Sequence, residues 1–549
     1  MKRTILFVSI MLIVLCVNSQ EPDWQWATQA GGSESDGSIG LAIDDNYNSY
    51  ILGEFGETAT FGSFSITSNG GGDVFVAKMD ADGNWLWANS AGGYFGDNCI
   101  EIEIDNYGNS YIIGDFSAIA TFGSYSITSN GERDVFVAKM DTDGNWLWAV
   151  QAGGSEDDRG YGIAVNDIGN ITVTGWFRED ATFGSYSLTS NGEDDIFVAK
   201  LDTDGNWLWV NQVGAVENDR GTAIVTGNTD DTYVTGYFRE TVNFGAYSLS
   251  NIAGDDIFVA KLDTNGNWLW AVQAGGSESD CGYGIATDSN ENCYVTGHFR
   301  DTAAFGSYSL TSSGDYDIFV AMLNADGNWI WTTNAGGSDY DLGWSITTDM
   351  NNDVYLTGSF REESTFGSYS LTSIGYDDIF LAKIVGLGDW LWVKQIGGVY
   401  FDRGYGIQVD DNFDCYLTGQ FNATITLDSY TLTSYGEDDI FVAKTGNPSS
   451  VENEIITAKI ELSNHPNPFN PSTTIQFSIQ NNSNVELSIF NIKGQKIKTL
   501  AHNDFTKGSH SIVWNGDDES EKPVSSGIYL YKLNVNGKTE VIRKCLLLK

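Results

Sequence analysis

The feature that most constrains this chain is a tryptophan pair that returns on a fixed count. The second Trp of a W-x-W triplet stands at Trp26, Trp87, Trp148, Trp209, Trp270, Trp331 and Trp392, each 61 residues after the one before. A long period with no insertion or deletion means one supersecondary unit copied in register, its apolar faces buried by neighbouring copies. Read from Gly160, a unit is G-Y-G-I-A-V, the turn N-D-I-G-N, I-T-V-T-G-W-F, a long A-T-F-G-S-Y-S-L-T-S-N-G-E-D segment, D-I-F-V-A-K-L, the turn D-T-D-G-N, and W-L-W-V-N-Q. The four apolar runs alternate with the period of two that marks strands, and Asn/Asp/Gly turns tolerant of left-handed φ separate them. We label these strands A, B, C and D.

Four-stranded antiparallel units of this length must stack to bury both faces, so the expected fold is all-β: a seven-bladed β-propeller of 61-residue, four-stranded blades. The phase of the repeat supports a ring. The chain opens on a D-type strand, Trp24 to Gln29, and the repeats end on a C-type strand, Asp439 to Lys444, so the N-terminal strand is expected to complete the last blade and remove an exposed edge. An open β-helix is the second choice, but its rungs are much shorter. Of 17 Trp, 14 sit in the W-x-W pairs, which assigns them to packing between blades, fully buried at ~150–250 Å² each.

Charge then narrows the function. Asp plus Glu number 74 against 28 Lys plus Arg, a net charge of -46, so nucleic acid and anionic membrane surfaces are repelled. Lys2 and Arg3 precede an apolar run from Ile5 to Val17 that is shorter than a bilayer span, which reads residues 1–19 as a signal peptide and predicts no transmembrane segment. The remaining cysteines, Cys99, Cys281, Cys293, Cys415 and Cys545, lack the spacing of a disulfide framework or a zinc site.

The runs G-Y-G-I-A-V with V-T-G-W-F, and G-Y-G-I-A-T with Y-V-T-G-H-F, resemble the SBBP-type β-propeller repeats of secreted bacterial proteins. The resemblance implies an extracellular propeller over 24–445 and no particular reaction.

Composition shifts after Lys444. Residues 446–462 read as a linker, and 463–549 as a small Ig-like β-sandwich of short alternating runs. P-N-P-F-N-P-S-T-T-I, N-I-K-G-Q (Asn491 to Gln495), W-N-G-D-D (Trp514 to Asp518), S-G-I-Y-L-Y (Ser526 to Tyr531) and a basic end resemble the type A sorting domain of the type IX (Por) secretion system. That resemblance implies passage across an outer membrane, the secretion machinery as a partner of this segment, and a secreted or outer-membrane-surface location.

Candidate site residues are few. Asp36, Asp97, Asp158, Asp219, Asp280, Asp341 and Asp402 recur just before strand A. Were strand A innermost, they would ring the mouth of an axial channel, where carboxylates could hold cations such as calcium; capping of their own turns is the competing account. The D-x-D-G-N turns resemble calcium loops but lack the further ligands, so they read as hairpins. Arg178, Arg239, Arg300 and Arg361 after strand B suggest surface ion pairs with Asp195, Asp256, Asp317 and Asp378. An active or binding site on a near-symmetric ring should break the repeat. Glu101 and Glu103 do so within strand A, and Tyr94, Phe95, Tyr400 and Phe401 put aromatics into the D-to-A loops.

His298 is the sole histidine between Trp24 and Thr445, and no G-x-S-x-G or phosphate-binding G-x-x-x-x-G-K motif is present, so no catalytic residue and no organic cofactor is assigned. The expectation is a non-catalytic binding or adhesion module for an extracellular protein or glycan, on the face with the D-to-A and B-to-C loops. The alternative is a carbohydrate-active enzyme using paired carboxylates, supported if Glu101 and Glu103 converge with the aromatics in one pocket.

Overall fold

The computed structural model describes residues 21–166, 169–446, 462–465, 469–479, 483–491, 495–520, 522–535 and 538–547. The 1–19 segment and nearly all of 446–462 lie outside them. All regular structure among the described residues is β. The chain forms two compact units, Met1–Ser449 and Ser450–Lys549.

In the first repeat, strands A (Gly37–Ile43), B (Ser49–Phe55), C (Asp73–Met79) and D (Trp85–Gly93) pair antiparallel in that order. The D-x-D-G-N turn is closed by its own aspartate. Asp80 Oδ1 accepts the N–H groups of Asp82 and Asn84 at 3.0 and 2.9 Å, while Gly83 takes the left-handed φ of 85° that the hairpin requires. Asp141, Asp202 and Asp263 repeat the arrangement.

Strands A of successive repeats pack on each other because all but the second, which carries Glu101, present a glycine or small residue where the neighbour comes closest. A Cβ on Gly40 would lie 3.0 Å from Ile102, one on Gly162 3.0 Å from Ile224, and one on Gly284 3.2 Å from Ile346. The series continues from end to start, since a Cβ on Gly406 would lie 3.0 Å from Leu41. Gln408 Nε2 also donates to the Leu41 carbonyl at 3.3 Å. Asp23–Ala30 pairs antiparallel with the last C strand, Tyr430–Gly446, in a register running from Asp23↔Gly446 to Ala30↔Ile440. The first strand therefore supplies the D position of the seventh repeat.

The long segment between strands B and C, expected as a loop, is a second hairpin. Ser110–Phe122 and Tyr125–Met140 extend B and C through a turn at Gly123, and strand D of the preceding repeat pairs with the extension at Gly92↔Thr121 and Gly93↔Ala120. Its Ser/Thr outer face hid the strand pattern, while its inner face supplies a buried phenylalanine. Phe61 sits 4.9 Å from Phe75 and 5.1 Å from the Trp85 ring, edge to face. The second Trp links repeats: Trp87 Nε1 donates to the Thr142 carbonyl of the next C-to-D turn at 3.2 Å, and Trp148, Trp209 and Trp270 do likewise to Thr203, Thr264 and Ala325. Most of these tryptophans are half-buried rather than fully buried; Trp24, Trp331 and Trp392 are the buried members.

The second unit is a two-sheet sandwich. Leu462–His465, Thr473–Ile479 and Gly508–Trp514 form one sheet; Lys496–Phe505, Ser483–Asn491, Gly527–Val535 and Lys538–Leu547 form the other. Its core joins Phe469, Ile475, Phe477, Leu487, Trp514 and Leu533.

Candidate functional site

Strands A enclose a cavity of about 570 Å³ to which every repeat contributes wall, from Ile39–Leu41 in the first to Tyr405–Gln408 in the seventh. Its variation follows the third residue of strand A, the x of G-x-G in the three repeats where that motif is complete. The x position is Tyr161, Tyr283, Trp344 and Tyr405 in four repeats, and Ile39, Ile100 and Thr222 in the others. Tyr283 stacks on Trp344 at 4.9 Å with an interplanar angle of 24°, and Trp344 meets Tyr405 at 5.6 Å. Behind this wall His298 packs 5.2 Å from Tyr283 and 4.4 Å from Tyr316. Burial lowers its pKa to about 4, so the imidazole is neutral at pH 7.

Glu101 and Glu103 line the same cavity. Glu101 Oε2 accepts the Ile163 N–H of the next strand A at 2.8 Å. Burial, with the Glu103 charge second, pushes the Glu101 carboxyl well above its ordinary value, and burial alone brings Glu103 up to about 7. Both project from one strand two residues apart, on one side of the cavity. Carboxylates that cleave a glycoside flank the bond from opposite sides, a geometry this pair does not have.

The four loop aromatics do not join Glu101 and Glu103. None of Tyr94, Phe95, Tyr400 and Phe401 lines the cavity, and all four are exposed, Tyr94 at 78%. They fall outside because the D-to-A loops lie beyond the end of strand A. Phe401 stacks on Tyr376 at 4.8 Å and 11°, with Arg361 and Arg403 at 5.9 and 5.7 Å from its ring.

The seven aspartates before strand A also differ from the expected channel ring. They are 0–2% exposed, each enclosed where one strand D turns into the next strand A. Asp158 is typical: Oδ2 accepts the Gly154 N–H at 2.6 Å, and Oδ1 accepts the Arg178 N–H at 3.1 Å. Asp36, Asp219, Asp280, Asp341 and Asp402 bond in the same two directions. Each thus staples its own D-to-A turn to the end of its strand B. No group of three or more His, Cys, Asp or Glu suited to a metal ion occurs among the described residues.

The strand-B arginines pair one or two residues away from the expected partners. Arg178 meets Asp194 at 2.7 Å, Arg361 meets Asp377 at 2.7 Å, Arg239 pairs with Asp255, and Arg300 meets Asp315 at 3.2 Å. Asp195, Asp256, Asp317 and Asp378 are buried and each accepts the backbone N–H four residues before it instead.

Sequence reasoning overlooked Tyr161, Tyr283, Trp344 and Tyr405. Their signal was present: this position varies between large aromatic and small or aliphatic side chains from copy to copy.

The Beta-propeller repeat family (SBBP) matches residues 269–298. The repeat region is a β-propeller. The propeller is followed by a match to the FlgD Ig-like domain family over residues 469–539, within the sandwich. The Uncharacterized WD repeat-containing protein L264 of Acanthamoeba polyphaga mimivirus is 22% identical over 500 residues, covering 72% of this chain and 36% of that protein. Regulatory protein FlaEY of Caulobacter vibrioides is 23% identical over 393 residues, covering 64% of this chain and 39% of that one. The chain thus spans under two fifths of the curated relatives it matches. Among solved structures, PorZ, described as an essential bacterial surface component of the type IX secretion system of Porphyromonas gingivalis, aligns at a TM-score of 0.29 with 12% identity, over 93% of this chain and 81% of that one. The PQQ-bound aldose sugar dehydrogenase of Streptomyces coelicolor aligns at 0.32 with 9% identity, over 77% of this chain and all of that one. Likenesses this distant assign no activity to the propeller.

Proposed function

We propose that this protein is a secreted or surface-displayed, seven-bladed propeller that binds an extracellular ligand without chemical turnover, in its axial cavity. One observation carries the reading: the repeats agree in their packing residues and diverge where strands A face the axis. Packing needs no such divergence, since Ile39 and Tyr283 occupy equivalent places in the same scaffold, whereas a single off-centre ligand does need it. Closure of the seven blades by the N-terminal strand is supported by the Asp23–Ala30 pairing and the Gly406–Leu41 approach. The exposed Tyr376–Phe401 stack on the loop face gives an extracellular protein or glycan a second place to rest.

Export is assigned to the C-terminal unit. In this reading 1–19 directs the chain across the inner membrane, 24–445 is the propeller, 446–462 the linker, and 463–549 the type IX sorting domain that engages the secretion machinery. Its sequence motifs and two-sheet core support the assignment. Binding requires no organic cofactor, and no residue is given a catalytic role. A glycan and protein array probed with the secreted protein tests the reading: selective capture reduced by Trp344→Ala, with no ligand breakdown, is expected. Ligand cleavage by the wild type would replace this reading with the enzyme.

A further inference from the structure

Glu101 and Glu103 are charges the fold does not require. Their counterparts in the other six repeats are Gly, Ala or Ser for Glu101, and Ala, Val, Thr or Gln for Glu103, and those blades form the same strand A. The cavity wall around them is mainly aliphatic, and no Lys, Arg or His lines it among the described residues. The two side chains are half-buried, open only to this cavity, and carboxylates in so apolar a wall without a counter-charge are unfavourable as anions, so the pair is held either by protons or by a cation from outside. The ring order adds a second, independent element. Strands A follow one another through seven repeats, so the second repeat, which carries both glutamates, lies across the axis from the fifth and sixth. Those two repeats carry the stacked Tyr283 and Trp344. The π faces of aromatic rings attract cations and accept the alkyl chain that bears them.

We propose that the cavity binds an organic cation with a primary ammonium group, its nitrogen held by Glu101 and Glu103 and its carbon chain lying against Tyr283 and Trp344. The assignment rests on the cavity being the binding site. The aromatic pair stands at the loop end of strand A, and the glutamates stand one and three positions further along it. The cation therefore enters from the loop face with its ammonium group leading. A free alkyl diamine and a lysine side chain on a peptide share this chemistry. The other titratable groups in the wall are Tyr161, Tyr283 and Tyr405. Because burial raises both carboxyls, Glu103 to about 7, an incoming ammonium ion at neutral pH displaces protons to the buffer.

Calorimetric titration of the full chain with pentane-1,5-diamine, Gly-Lys-Gly and neutral pentan-1-ol tests the proposal. Saturable binding of the diamine or the peptide is expected, with proton release seen as a heat that varies with the buffer's ionisation enthalpy; the tighter of the two arms identifies the source. Glu101→Gln with Glu103→Gln should weaken it about tenfold or more, the loss of a charge-assisted hydrogen bond. This near-isosteric double variant is checked for unchanged melting. No saturable binding by either amine at millimolar concentration, equal affinity in the double Gln variant, or equal binding of the alcohol overturns the proposal. An array ligand lost with Trp344→Ala but kept by the double Gln variant overturns the ammonium assignment and leaves the cavity reading standing. Capture unaffected by either variant overturns both.

Discussion

Asp134 and Asp158 face each other across Gly153: a Cβ on that glycine would lie 2.6 Å from the Asp134 carboxyl carbon and 2.7 Å from Asp158 Oδ2. Asp134 Oδ2 accepts the Asn130 N–H at 3.0 Å, while its buried Oδ1 has no partner in the fold. Burial raises Asp134 to about 6 and Asp158 to about 8, the Asp134 charge adding a smaller push to the latter. The pairing recurs around the propeller, at Asp256 with Asp280 and at Asp439 with Asp36 among others.

These pairs make stability fall as pH rises. Their folded values lie above the ordinary 3.8, so the stabilisation is fully present below the unfolded value and is lost as pH climbs through about 6 to 8. Calorimetric melting between acidic and mildly alkaline pH should show Tm highest near the unfolded value of 3.8, declining as pH rises from there and levelling once pH passes about 8. Asp158→Asn should flatten that decline; an unchanged pH profile would show that the pair is not the titrating element.

Gly153 has φ 154° and no room for a methyl group. Gly153→Ala should destabilise by about 1–3 kcal/mol through strain and displacement of the paired carboxyls. Chemical denaturation is the measurement.

Removing Trp24 to Gln29 should expose the C-strand edge of the seventh blade and uncover the core cluster that Trp24 joins with Leu417 and Phe441. Loss of one buried Trp alone costs about 3–5 kcal/mol, and a bare edge invites self-association. A lower Tm with concentration-dependent aggregation is expected, while unchanged melting would refute closure through this strand.

Deleting residues 464–549 should leave a folded propeller in the periplasm. Cell fractionation checks this: normal amounts of the truncated protein at the cell surface would refute the sorting assignment.

The local half of this protein was legible in its residues. The 61-residue period, the D-x-D-G-N hairpins and the strand alternation need only neighbours in the chain, so Asp80 and Gly83 announce their turn wherever they occur. The B-to-C hairpin was harder to read, because Thr58 and Ser65 face water and resemble loop composition while Phe61 alone shows the buried side. The chain also disclosed, through its opening D strand, which segments should meet. The cavity was decided by tertiary structure. Glu101, Tyr283 and Trp344 lie in different repeats and share a wall only because strands A converge on the axis, which no local propensity encodes. Partner choice likewise separated Asp194 from Asp195: both are buried, yet the first meets Arg178 and Arg220 while the second accepts the Asn191 N–H, a division that only the packing around each carboxyl settles.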